Sequence, residues 1–337
     1  MAVSARSGIG SPARGTDVSD IEENVMRVLV VGAGALGGYF GGRLVEAGRD
    51  VTFLVRPRRA EQIARLGLHI DSLHGDADLK PRTVQAGGLD GAYDLILLAV
   101  KAYSLDAAMD DINPAVGAGT TILPVLNGMR HLDLLAARFG AERVLGGVAQ
   151  IPATLGPEGQ IVHRMGPDHQ LIFGEVQGGI STRVDGILSV FSGANFLPRA
   201  SSEIVQEMWE KWVGLATLAG ATCMMRGSVG DILAAPGGRD ALLALFAECR
   251  AVAAKSGHEP RPSAIAAVTG FLTKEGSPLT ASMLRDIERR GAAEGEHVLG
   301  DMVERAATLG IDAPLLRLAR CHAGTYEARR RREAAAG

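Results

Sequence analysis

Short, nearly continuous apolar runs punctuate the first half of the chain, and stretches with helical spacing separate them. The pattern predicts strands at 26–31, 50–55, 93–100 and 121–126, with a shorter apolar run at 144–149. Leu95-Ile-Leu-Leu-Ala-Val is apolar at every position, which fits a strand buried on both faces. Strands alternating with helices predict an α/β fold with a parallel, doubly wound sheet. Near 150–175 the texture changes, and Gly156-Pro157-Glu158-Gly159 separates two β-like pieces that read as an antiparallel addition. From Ser201 onward the pattern is helical. Ser201 or Ser202 can cap a helix in which Met208, Trp212, Leu215 and Ala219 share one face. Asp240 opens a helix over 241–256 that Gly257 stops, and similar patterning recurs at 263–275, 281–290, 293–309 and 314–330. The expected organisation is a sheet domain over 26–200, a helical domain over 201–330 and a tail at 331–337. Ligands are expected in the cleft between the domains, outside the carboxyl ends of the parallel strands.

Composition adds bounds. The 337 residues allow two domains, and 47% apolar content supplies real cores. A net charge of −3 gives no reason to expect nucleic-acid or membrane partners. No run of apolar residues is long enough to predict a membrane span. Cys223, Cys249 and Cys321 form no C-x-x-C pair, which argues against zinc and disulfides, suits a reducing cytoplasm, and leaves them as small buried apolar residues. Residues 1–25 lack an apolar core and read as a disordered leader, with Met26 as an alternative start. Arg329 to Arg332 could bind nucleic acid, but they read better as a solvated helix end favoured by the helix dipole.

The densest chemistry lies in Val28-Leu-Val-Val-Gly-Ala-Gly-Ala-Leu-Gly37. A strand, a glycine turn and a helix follow in the order a dinucleotide fingerprint requires. Gly32 permits the tight turn, Gly34 lets the backbone approach a pyrophosphate, and Gly37 lets the helix pack on the strand. Ala35 and Leu36 complete the loop, where the helix N-terminus offers free N–H groups to an anion. The second strand ends at Arg56, with Arg58 and Arg59 just beyond. An acidic residue here would hold a ribose 2′-OH, whereas an arginine accommodates a 2′-phosphate. The better reading is NADP(H); the alternative is a solvated arginine loop.

Lys101 and Asn127 each follow a predicted strand, where open α/β sheets bind ligands. Alone, Lys101 could be a surface lysine, and Asn127-Gly128 an ordinary turn. Lys211 lies between Trp209 and Trp212 on an apolar turn. Burial would lower its pKa and suit a general acid, while the alternative is a lysine whose stem covers tryptophan and whose amine reaches solvent. Alone, Ser282 would pass as a helix cap and Glu294 as a solvated helix start.

Together these segments resemble the ketopantoate reductase (2-dehydropantoate 2-reductase) family over most of 26–330. The resemblance rests on Gly-Ala-Gly-Ala-Leu-Gly at 32–37, Arg56, Val100-Lys101-Ala102, Asn127-Gly128-Met129, Trp209-Glu-Lys211, Ser282-Met-Leu-Arg-Asp-Ile, Glu294 and Gly310-Ile-Asp-Ala-Pro314. It implies a Rossmann domain followed by a helical domain, NADPH as cofactor, and hydride delivery to the ketone of a 2-oxo acid. In that reading Lys211 is the general acid, and Asn127 orients the lysine and substrate. Lys101 lines the cofactor and substrate cleft, Ser282 binds the substrate carboxylate and Glu294 a substrate hydroxyl. Catalytic roles thus fall to Lys211, Glu294 and Asn127, and cofactor contacts to the glycine loop, Arg56, Lys101 and Asn127. Leu215, Ala219 and Val229 stand where the family has asparagines, and each lost polar contact is worth about 1–3 kcal/mol. A divergent member acting on another 2-oxo acid, ketone or imine therefore stands beside ketopantoate reduction. A non-catalytic NADP(H)-binding regulator is the alternative of another class. The expected partner is a small carbonyl compound, the expected state a monomer or homodimer, and the expected location the cytoplasm.

Overall fold

The computed structural model describes Met1 and residues 26–336. Apart from Met1, the leader expected over 1–25 lies outside the described residues. In chain order the first elements are β1 (Val28–Val31), α1 (Ala35–Glu46), β2 (Val51–Leu54), α2 (Pro57–Leu66), β3 (Leu68–Ser72), β4 (Ala77–Leu79) and β5 (Arg82–Val84). There follow β6 (Leu95–Leu98), α3 (Leu105–Ile112), β7 (Thr121–Pro124), α4 (Arg130–Phe139) and β8 (Leu145–Gln150). Then come β9 (Thr154–Leu155), β10 (Ile161–His163), β11 (Gln170–Glu175), α5 (Thr182–Phe191) and β12 (Leu197–Ala200).

The central sheet has the order β5-β2-β1-β6-β7, and every pairing in it is parallel. β1 and β6, at its centre, are apolar throughout because each face carries its own core. Leu29, Val31, Ile96 and Leu98 join one apolar cluster, while Val28, Val30, Leu95 and Leu97 join the other. This is the doubly wound α/β arrangement that the strand–helix alternation predicts. β8 pairs antiparallel with β11, and β12 pairs parallel with β11. The expected antiparallel addition is thus a separate three-stranded sheet, joined to β7 by one parallel bridge between Ile122 and Val144. The two β-like pieces around Gly156–Gly159 are β9 and β10, which pair antiparallel in a four-stranded sheet of order β4-β3-β10-β9, whose β3 and β4 have no counterpart in the sequence reading.

Helices follow: α6 (Ile204–Met225), α7 (Val229–Ala234), α8 (Gly238–Lys255), α9 (Pro262–Leu272), α10 (Ser282–Glu288), α11 (Asp301–Thr308) and α12 (Pro314–Ala335). Glu203, not Ser201 or Ser202, occupies the cap position of α6; the Ser201 hydroxyl instead accepts the Glu203 N–H at 3.1 Å. One wide π-turn, Glu296–Gly300, leads directly into α11. α12 continues past residue 330 to Ala335, because Glu327–Arg330 and Arg329–Glu333 pairs tie its last turns together. Cys223 and Cys249 are buried as expected, but Cys321 sits on the exposed side of α12. No described helix is long and apolar enough to cross a membrane.

Candidate active site

The three loop glycines answer to different constraints. Gly32 has φ +92°, a region that glycine alone occupies without strain. A Cβ on Gly37 would overlap the carbonyl oxygen of Gly32, so helix and strand can meet only at glycine. A Cβ on Gly34 would meet no protein atom within 4 Å. Nothing in the fold requires glycine there, and the space it leaves adjoins a cleft of about 570 Å³. The N–H groups of Ala35, Leu36 and Gly37 open α1 and have no acceptor within the helix. Gly34→Ala is therefore expected to leave the melting temperature within about 2 °C and weaken nucleotide binding about tenfold or more. Gly37→Ala is expected to destabilise the fold itself. Thermal melts and nucleotide titrations of both variants check this contrast.

The cleft runs from the glycine loop along the ends of β2 and β6, and Arg56, Arg59, Lys101 and Asp111 line it. Arg56, with its side chain 64% exposed, lies 3.6 Å from the Asp111 carboxylate. Arg59 lies deeper. Its Nε donates to the Ala33 carbonyl at 3.0 Å, and burial lowers its pKa. Arg58 is exposed and does not line the cleft.

At the end of β6, Lys101 reaches across to the helical part of the chain. Its Nζ donates to Glu294 Oε2 at 2.9 Å and to Asp286 Oδ2 at 3.0 Å. Glu294 is only 8% exposed, and its other oxygen accepts the Ala102 N–H at 2.9 Å. Burial opposes the charge on Lys101, but the two carboxylates outweigh it and raise the pKa. Sequence reasoning paired neither Lys101 with Glu294 nor either with Asp286. Ser282 opens α10 one turn before Asp286, and the two share a helix face.

Lys211 lies on α6 against the ends of the neighbouring strands. Leu126, Val148, Met208, Trp212 and Leu215 form a narrow apolar crevice with it, and Gly128 and Gly147 complete the walls. Its Nζ donates to the Ala149 carbonyl at 2.9 Å. Burial lowers its pKa to about 8, against an opposing pull from the Glu294 carboxylate. Trp212 donates its indole N–H to the Val298 carbonyl at 2.9 Å, which ties α6 to the π-turn after Glu294. Asn127 is half-buried in the turn after β7, beside Gly128 in the crevice wall. His131 lies just beyond, fully buried, and burial lowers its pKa to about 3. It is therefore neutral and adds no repulsion to a charged Lys211. Leu215 lines the crevice, whereas Ala219 and Val229 belong to the apolar core. Among the described residues, no cluster of His, Cys, Asp and Glu could hold a metal ion.

Comparison with known proteins decides the family. The family described as Ketopantoate reductase PanE/ApbA matches residues 28–178, and its C-terminal counterpart matches residues 203–320. The chain belongs to the ketopantoate reductase family. It is 38% identical over 303 residues to the uncharacterized oxidoreductase YkpB of Bacillus subtilis, covering 90% of this chain and 99% of that protein. It is 29% identical to the 2-dehydropantoate 2-reductase of Archaeoglobus fulgidus, over 87% of this chain and 95% of that one. The crystal structure of 2-dehydropantoate 2-reductase from Geobacter metallireducens superposes with a TM-score of 0.81 at 29% identity, covering 89% of this chain and 99% of that chain. As a ketopantoate reductase family member, the chain is an oxidoreductase built from a parallel-sheet α/β part followed by helices.

Proposed function

We propose that this oxidoreductase reduces the ketone of a 2-oxo acid with NADPH, and that Lys211 is its general acid. The observation that carries the reading is the setting of Lys211: an amine with a pKa near 8, in an apolar crevice walled by the turn after β7. A group with that pKa is still protonated at neutral pH and releases its proton readily, as a general acid must.

The residues present suit NADPH. The open face of Gly34 and the free N–H groups of α1 can take the pyrophosphate, and Arg56 the 2′-phosphate. NADPH would supply the hydride for the carbonyl carbon. Lys211 Nζ would offset the negative charge growing on the carbonyl oxygen and then give up its proton to it. Asn127, in the turn that flanks the crevice, would orient the carbonyl. Lys101 would present its charge to the cleft, held in place by Glu294 and Asp286. Ser282 would bind the substrate carboxylate. Glu294 would take a substrate hydroxyl, because each of its oxygens accepts one bond, from Lys101 and Ala102, and keeps a further lone pair. Leu215 on the crevice wall favours an acid with fewer hydroxyls than ketopantoate over ketopantoate itself. A monomer or homodimer in the cytoplasm fits this reading.

Oxidation of NADPH and NADH against a panel of 2-oxo acids tests the proposal. The panel pairs ketopantoate with 3,3-dimethyl-2-oxobutanoate, which lacks only its hydroxyl. The reading predicts faster turnover with NADPH and reduction of at least one acid. NADPH binding without oxidation by any acid would instead indicate a regulatory NADP(H)-binding protein.

A further inference from the structure

We infer that Arg59 is a second phosphate-binding residue of the cleft, selecting an adenosine nucleotide that carries a 2′-phosphate. The inference rests on the NADPH reading and concerns which side chain provides the discrimination. Arg59 lines the cleft and is held in place from two sides. Its Nε donates to Ala33 in the glycine loop at 3.0 Å, and its Nη1 donates to Gln62 Oε1 at 2.6 Å. The turn before β10 closes over it, so that a Cβ on Gly159 would overlap Nη1. The remaining nitrogen, Nη2, is buried and has no hydrogen-bond partner. Among the described residues, Arg59 forms no ion pair. A half-buried guanidinium with an unused donor and no counter-charge is destabilised until an anion reaches it.

The position indicates which anion. Arg59 lies in the first turn of α2, just past the end of β2, where the substituent on the ribose 2′ position falls in this fold. The positive end of the α2 dipole adds to the same field. A phosphate monoester carries close to two negative charges and three acceptor oxygens, which suits a fixed guanidinium fork. Arg56 differs in each respect: it is exposed and already rests near Asp111 at 3.6 Å. Arg59 is thus the fixed cation, held by Ala33 and Gln62, and Arg56 the exposed one with a carboxylate already beside it.

Calorimetric titration with 2′,5′-ADP and 5′-AMP separates the possibilities, because the two probes differ only in the 2′-phosphate. Wild-type protein should bind 2′,5′-ADP more tightly by roughly a hundredfold. Arg59→Met should reduce that preference about tenfold or more while 5′-AMP binding stays within about twofold, and Arg59→Lys should recover part of it. Equal weakening of both probes in Arg59→Met would show that the side chain only props the glycine loop, and would overturn the inference. An undiminished preference would overturn it as well. A wild-type protein indifferent to the 2′-phosphate would refute the NADPH reading itself, and this inference with it.

Discussion

Lys211→Met is expected to lower kcat by about two to four orders of magnitude while NADPH affinity stays within about twofold. The methionine keeps the apolar stem that fills the crevice of Met208, Trp212 and Leu215, and removes only the proton donor. The same change should stabilise the fold. Burial lowers the pKa of Lys211 from 10.5 to about 8, so charging it costs more in the folded protein than in the unfolded chain. That penalty, roughly 3 kcal/mol, is fully present below pH 8 and disappears as pH rises from 8 to 10.5. The wild type should therefore gain on the variant in stability across that window. Its kcat/KM should fall over the same rise, as the acid loses its proton. Loss of activity with gain of stability is the mark of a residue kept for chemistry. Melting temperatures and a pH profile of both proteins measure the two effects.

Lys101→Met is the second change with a large expected effect. It would leave Glu294, 8% exposed, with only the Ala102 N–H, and would free Asp286. Breaking one partner of a buried pair costs about 3–5 kcal/mol, and the partial exposure of Lys101 places this case at or below the low end. Because the pair joins the end of β6 to the segment carrying Glu294, kcat/KM should fall about a hundredfold or more. The double variant Lys101→Met with Glu294→Gln should regain much of the stability but not the activity. Recovery of activity in the double variant would show that Lys101 serves only to neutralise Glu294.

The sheet was legible where physics is local. Strands apolar at every position, such as Leu95–Leu98, can only be buried on both faces, and the glycine loop carries its own turn and packing requirements. In the β4-β3-β10-β9 sheet the antiparallel pieces β9 and β10 were legible, but β3, β4 and their pairing with β10 were not. Ile161 pairs with Ile70 across a long stretch of chain, and short strands of mixed polarity do not announce such partners. The site divides in the same way. Lys101 and Asn127 could be placed from their positions after predicted strands. Asp286 could not, because its meeting with Lys101 spans 185 residues. Arg59 was visible only as one arginine among several. Its burial and its hydrogen bond to Ala33 separate it from Arg58, and no spacing rule encodes either. Cys321 shows the converse error: composition made it a buried apolar residue, and its place on the outer face of α12 exposes it.

The most direct test follows one atom. The protein is incubated with NADPH deuterated at the transferable position and with either ketopantoate or 3,3-dimethyl-2-oxobutanoate, and the hydroxy acid is analysed by mass spectrometry. The account predicts one deuterium at C2 for each NADPH oxidised, and no such product from Lys211→Met on the same timescale. NADPH oxidation that leaves no deuterium in a hydroxy acid, or unchanged transfer by Lys211→Met, would contradict it.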